Sequence, residues 1–307
     1  MVTDQNALFE LLCELKSRDY RFTCVTPATH ERVLSRALDR KRTLADIFGW
    51  NRPFRTNELA PELVTHLQRA DCLEEADGHL RSLVRVASLD DDLYLHSAFP
   101  TIGEDAVFFG PDTYRFVRFV RAHIDRYRDT VAKVIDMGSG SGVGGINVAR
   151  SLPNRAKIKL VDINPAAGQL AAINARFAEV EVEPVLSDKI DGPCDLVIAN
   201  PPYIMDPSHR LYRDGGSLLG GAIAARWTAQ ALDAVKPGGA ILLYTGASIV
   251  DGVSPLLQSI EALCCRSNAA MRAEEIDPDV FGEELESADY REVERIAVFG
   301  IEITKLP

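Results

Sequence analysis

The chain reads as an α/β protein: an open, mostly parallel sheet covered by helices, preceded by a smaller unit of helices and β-hairpins. Three observations predict this. From about residue 130, five apolar, β-rich runs are separated mostly by helical patterns, the signature of a parallel sheet with helices on both faces. The first hundred residues instead read as helices followed by short alternating segments. The last two apolar runs have no helix between them, which predicts an antiparallel hairpin at one edge of the sheet.

The elements follow in chain order. Residues 4–17 form a predicted helix, because Leu8, Leu11, Leu12 and Leu15 share one face. A second helix covers 28–38. Leu44, Ile47 and Phe48 predict a short third one, stopped at Gly49. Pro61 suits the first turn of another helix, with Leu63, Val64 and Leu67 turned inward. The stretch CLEEADGHLRSLVRVASLDDDLYLHSA then alternates, with turns at Asp77-Gly78 and at Asp90–Asp92. Helices followed by a β-wing resemble a winged-helix unit, and a boundary near residue 100 divides a cover domain (1–100) from a larger domain (101–307).

In the larger domain the predicted strands are VAKVID (131–136), KIKLVDI (157–163), VEVEPVL (180–186), DLVIA (195–199) and AILLYTG (240–246). Ile223, Trp227, Ala231 and Val235 mark one helix face, and Ser254-Pro255 opens another helix. AAMRAEEID and RIAVFGIEIT supply the closing hairpin.

Charge narrows the partners. The net charge is −11, with 13 basic and 16 acidic side chains in residues 1–100, and 21 and 29 beyond them. Neither part has the basic excess expected of a protein that holds a nucleic-acid backbone, so a nucleic-acid partner is not expected. A local cluster, Arg32, Arg36, Arg40, Lys41 and Arg42, reads as a solvated helix face or as an anion or RNA contact. The six cysteines form no C-x-x-C pair and the histidines no H-E-x-x-H, so no metal is expected. No run of 18 apolar residues and no signal-peptide pattern occurs, and the expected setting is cytoplasmic, without a membrane.

The chemistry begins at VIDMGSGSGVGG. It follows the first strand of the larger domain and opens a helix. Gly138, Gly140 and Gly142 remove side chains where the backbone must turn and approach a ligand. Asp162 ends the next strand, where a carboxylate can accept both ribose hydroxyls. Asp188, after the third strand, offers a second contact. The loop also fits the dinucleotide pattern through Gly140, Gly142 and Gly145. Asp136 shifts that balance: an acid there receives an ammonium and repels a pyrophosphate. The expected ligand is a nucleoside carrying a cationic amino acid, which S-adenosylmethionine is. Ser139 in the loop and Ile163 beside Asp162 belong to the same expected site.

A second motif, IANPPY, ends a buried strand at residues 198–203. Prolines 201 and 202 lack N–H groups and fix φ, and each pushes its predecessor to extended geometry. The segment therefore presents acceptors, the Asn200 side-chain oxygen and the Pro201 carbonyl. Two fixed acceptors hold an NH₂ group and aim its lone pair at an electrophile. Tyr203 can lie against a planar group. Asn200, Pro201 and Tyr203 are the candidate catalytic residues.

These two motifs, with VDINPAA (161–167), LYRDGG (211–216) and the proline-acid-threonine segment FFGPDTYRF (108–116), resemble the class I methyltransferases of the methyltransferase small domain group, most of all the release-factor glutamine methyltransferases and the amine-targeting nucleic-acid methyltransferases. The resemblance covers about residues 105–307. It implies a Rossmann-like seven-stranded methyltransferase sheet and S-adenosylmethionine as cofactor. It also implies that Asp136, Gly138, Gly140 and Gly142 hold the methionine moiety, Asp162 the ribose and Asp188 the adenine edge, with Phe109, Thr113 and Tyr114 contributing from the 108–116 segment. The implied reaction is N-methylation of a small-molecule or protein side-chain amine or amide, with Arg210 and Arg213 of the loop 204–219 as candidate acceptor contacts. The chain is also similar to azetidine-2-carboxylate synthases. There S-adenosylmethionine is the sole substrate, its own α-amine attacks Cγ, and Phe108, Phe109, Tyr114 and Phe116 would form a cation–π wall for the sulfonium. A non-catalytic binding module on a degenerate cofactor fold is the third reading, and the intact motifs argue against it.

Overall fold

The computed structural model describes residues 3–152 and 156–307. The chain opens with α1 (Gln5–Ser17), capped by Asp4, whose side chain accepts from the Ala7 N–H. Ala7, Leu8, Leu11, Leu12 and Leu15 are all fully buried on one face. Helix α2 (Pro27–Leu34) starts behind the Thr26 cap and ends four residues earlier than its pattern suggested. Ala45–Gly49 forms a short π-helical turn, and α3 (Pro61–Arg69) buries Leu63, Val64 and Leu67.

The alternating stretch folds as two separate antiparallel hairpins. One pairs β1 (Leu73–Ala76) with β2 (His79–Ser82), and the other pairs β3 (Val84–Leu89) with β4 (Asp92–Ser97). Both turn where aspartates sit, with Asp77, Gly78 and Asp90 at positive φ. The core around α1 runs on without interruption: Val107, Phe109 and Val117, together with Ile146, Ala167 and Leu170, belong to it. The first hundred residues thus pack directly onto the layer that covers the main sheet.

That sheet has seven strands in the order β10-β11-β9-β8-β5-β6-β7. Its strands are β5 (Lys133–Met137), β6 (Lys157–Asp162), β7 (Glu183–Leu186), β8 (Cys194–Ala199), β9 (Val235–Ile249), β10 (Ala269–Asp277) and β11 (Arg295–Lys305). The first five are parallel neighbours; β11 runs antiparallel to both β9 and β10. Helices α4 (Pro111–Ile124), α5 (Val143–Ser151), α6 (Pro165–Phe177), α7 (Ala222–Ala234) and α8 (Pro255–Arg266) cover it. Val235 departs from the helical expectation: it is the first residue of β9, not the last of α7.

β5 and β8 are adjacent in the middle of the sheet, with Asp136 opposite Ile198 and Met137 opposite Ala199. The glycine loop after β5 and the Asn200 segment after β8 therefore leave the sheet side by side. This is the carboxyl edge, at the point where strand order reverses, and open α/β sheets bind their ligands there.

Candidate active site

The glycine loop is built by backbone hydrogen bonds. Gly138 and Ser139 N–H both donate to the Val161 carbonyl, at 2.8 and 3.1 Å, and Gly142 N–H donates to the Ser139 carbonyl at 2.8 Å. Gly138, Gly140 and Gly142 all have positive φ. They do different work. A Cβ on Gly138 would lie 2.4 Å from the Trp227 ring, and one on Gly142 would meet Ala171 and Leu160. A Cβ on Gly140 would meet nothing within 4 Å. Gly140 fronts the cavity, whereas Gly142 turns the chain into α5 as its left-handed cap.

The cavity at this edge measures about 350 Å³, within the usual range for small-molecule sites. Asp136, Gly138, Ser139 and Gly140 line one wall, with Asp162, Ile163 and Asp188 beside them. Asn200, Pro201 and Tyr203, which follow the neighbouring strand β8, form a second wall, and Thr113 lines the cavity from α4. Gly142 does not line it. Phe109 and Tyr114 do not either, which corrects the expectation for both. Phe109 is 1% exposed and packs against Tyr94, His96 and Tyr114 in the N-terminal core. The Tyr114 hydroxyl accepts from the Cys24 N–H at 3.0 Å. Helix α4 begins at Pro111, so of the aromatic residues in the 108–116 segment only Phe108 and Phe116 reach the cavity.

Two carboxylates sit deep in the first wall. Asp136 is 1% exposed, and its Oδ2 accepts from the Gly145 N–H at 2.7 Å. Burial pushes its pKa up to about 7; the Gly145 bond opposes this and the Asp162 charge adds to it. Asp162 ties the loop to β6: its Oδ2 accepts from the Gly140 N–H at 2.8 Å and its Oδ1 from the Asn164 N–H at 2.9 Å. Burial raises its pKa, against the backbone donors of Asn164, Gly140 and Ile163.

The second wall is fixed at Tyr203 and open at Asn200. No hydrogen bond among the described residues holds the Asn200 side chain. The Tyr203 ring lies on Gly246, where a Cβ would come within 2.1 Å of it, and meets Phe281 edge-on at 5.7 Å. Its hydroxyl donates to Asp112 Oδ2 at 2.5 Å. Burial, and then the Asp112 charge, raise the Tyr203 pKa well above the phenol range, so the hydroxyl stays a donor.

Loop 204–219 is pinned at the cavity mouth. Tyr212 stacks on Phe108 at 5.4 Å, and its hydroxyl donates to the Thr101 carbonyl at 2.7 Å. The Met205 N–H donates to the Tyr290 hydroxyl at 2.8 Å. Arg210 grips Asp206 with two bonds of 2.7 Å, and Arg213 pairs with Glu284. Both arginines are thus satisfied within the protein.

Sequence reasoning missed Asp112, which sits inside a quoted motif but acts through contacts 91 and 132 residues away along the chain. It also read Trp227 only as helix packing, although the ring lines the cavity against Gly138. Ser139 Oγ and Trp227 Nε1 are buried with no hydrogen-bond partner among the described residues. Both residues line the cavity, where orphaned polar atoms point to a polar ligand. The lining carries Asp112, Asp136, Asp162, Asp188 and Asp214 against Arg213 and Arg226. This set suits a cationic nucleoside derivative and fits the expected cofactor.

Residues 118–248 match the family model of the methyltransferase small domain. The chain is similar to the release factor glutamine methyltransferase of Koribacter versatilis, 33% identical over 147 residues that cover 43% of this chain and 52% of that protein. It is also similar to the release factor glutamine methyltransferase of Lactococcus lactis, at 31% identity over 48% of this chain and 58% of that protein. The chain therefore spans about half the length of these relatives. Among solved structures, Trm5b from Pyrococcus abyssi shares the fold, with a TM-score of 0.51 at 17% identity over 80% of this chain and 68% of that one.

Proposed function

We propose that this chain, whose residues 118–248 match the methyltransferase small domain, is a class I S-adenosylmethionine-dependent methyltransferase that methylates a nitrogen, with the acceptor amine or amide held at Asn200 and Pro201. The observation that carries this reading is that an unengaged Asn200 side chain shares one cavity with Asp136, the glycine loop and Asp162. When bound, the cofactor supplies a methyl group on a sulfonium. The residues of the chain do the rest. Asp136 receives the cofactor's ammonium, Asp162 the ribose hydroxyls and Asp188 the adenine edge. Asn200 Oδ1 and the Pro201 carbonyl accept from the acceptor N–H groups, which turns the nitrogen lone pair toward the methyl. Phe108 and Phe116 supply aromatic lining beside the place a sulfonium would occupy.

The names of the curated relatives specify glutamine of release factors, an amide. An acidic lining, and arginines already satisfied at the mouth, support a neutral or cationic acceptor over a polyanion such as RNA. The test supplies S-adenosylmethionine with an isotopically labelled methyl group together with small amines, primary amides, a glutamine-containing peptide and RNA. Label recovered on an amine or amide nitrogen supports the reading. Label recovered only in RNA contradicts it.

A further inference from the structure

Asp112 is a buried carboxylate at the start of α4, and the proposed chemistry gives it no role. Its two oxygens are used differently. Oδ1 accepts from the Tyr244 hydroxyl at 2.9 Å and from Arg115 at 3.0 Å. Tyr244 stands in β9, inside the sheet, and Arg115 is braced in turn by Asp277 of β10 at 2.9 Å. Oδ1 is therefore bolted to the frame. Oδ2 accepts from Tyr203 alone, at 2.5 Å. The carboxylate is a rigid strut between the sheet and the last residue of the Asn-Pro-Pro-Tyr segment.

The Tyr203 ring has packing neighbours, Gly246 beneath it and Phe281 at its edge, but its hydroxyl bond to Asp112 is its one directional anchor among the described residues. With that hydroxyl committed, Tyr203 has no donor left for an acceptor molecule. Its contribution is the placement of the stiff segment before it. We propose that Asp112 is a positioning residue: through Tyr203 it sets the orientation of the Asn200 oxygen and the Pro201 carbonyl toward the reacting nitrogen. This rests on the reading of residues 200–203 as the acceptor site.

The acceptor is not needed to test it. Sinefungin is a cofactor analogue in which an amine-bearing carbon replaces the methylated sulfonium, so its amine probes the acceptor side of the cavity. S-adenosylhomocysteine lacks any such group. Calorimetric affinities for both are measured in the native protein and in Asp112→Asn, Tyr203→Phe, their double variant and Asn200→Ala. The expected result is that the ratio of sinefungin to S-adenosylhomocysteine affinity falls about tenfold in each single variant, the size of one lost charge-assisted contact. The double variant should fall no further than the worse single one, because both break one strut. General loosening of the fold would weaken both ligands alike and leave the ratio unchanged. If Asp112→Asn does not fold, Tyr203→Phe decides alone. A ratio that falls in Asn200→Ala but holds in Tyr203→Phe overturns the strut and spares the acceptor site. A ratio unchanged in Asn200→Ala as well overturns both.

Discussion

Asp136 couples the site to pH. Its folded-state pKa, pushed up to about 7, exceeds the ordinary carboxylate value, so without ligand the folded protein keeps a proton that the unfolded chain releases. Stability from this group is fully present below the unfolded pKa and is lost as pH rises toward 7. Ligand binding has the opposite dependence, because a cationic ammonium needs the ionised carboxylate. We predict that S-adenosylmethionine binds more tightly from pH 6 to pH 8 and releases protons on binding below about pH 7, the span set by that pKa. Calorimetry in buffers of different ionisation enthalpy measures the release, and Asp136→Asn should abolish it. A release that persists in that variant would assign the proton to another group. At the acceptor side, Asn200→Ala should keep cofactor affinity and lower kcat about a hundredfold, roughly 2.7 kcal/mol of barrier, as expected for lost positioning. A variant that turns over at the native rate would remove Asn200 from the reaction. The legibility of these residues followed their chemistry. Asp136 and Asn200 could be read because each stands within two residues of a glycine or proline signal at a strand end, and Asp162 because it closes the strand that follows the glycine loop. Asp112 and Trp227 could not, because their partners, Tyr203 with Tyr244 and Gly138, meet them only across the folded sheet.

At the scale of elements, the glycine loop shows how similar residues carry different loads. Gly138 faces the Trp227 ring at contact distance, whereas Gly140 faces open space. Gly138→Ala should therefore destabilise the ligand-free protein by about 2–4 kcal/mol, combining overpacking with a strained positive φ. Gly140→Ala should cost only about 1–2 kcal/mol, from the strain alone. Both should weaken cofactor binding. Chemical denaturation separates them, and equal losses would contradict the packing account. The central strands β5 and β8 were legible because a strand buried on both faces reads as one apolar run. The edge strand β7 is largely exposed and shorter than its pattern. The β10 and β11 segments were legible because no helix pattern separates them. Helix α2 ended early because its later turns lack apolar partners: Arg36, Ala37 and Asp39 are exposed. Phe109 was hidden because it lies just before α4 and turns into the N-terminal core, and Tyr114 because a helix start sets the direction of every later side chain around the axis.

For the whole molecule, the relevant facts are a continuous core between the N-terminal residues and α5–α6, and an acidic charge of −11. The strap at Thr101 to Phe108 joins those residues to the cavity, through the Tyr212 hydroxyl on Thr101 and the Phe108–Tyr212 stack. Ligand binding should thus stabilise the molecule as one unit. At a hundred times Kd, S-adenosylmethionine is expected to add about 2.7 kcal/mol in a single cooperative transition. A second transition that ignores the ligand would show that the N-terminal residues unfold separately.

The central claim is that the chain transfers a methyl group to a nitrogen outside the cofactor. The most direct measurement incubates the purified protein with S-adenosylmethionine, alone and with amine and amide acceptors, and identifies the products by mass spectrometry. The account predicts that the cofactor alone is bound and left intact. With an acceptor, S-adenosylhomocysteine and N-methylated product should appear in equal amounts. Methylthioadenosine and azetidine-2-carboxylate formed from the cofactor alone, above the non-enzymatic background, would contradict it and assign the amine at Asn200 to the cofactor itself.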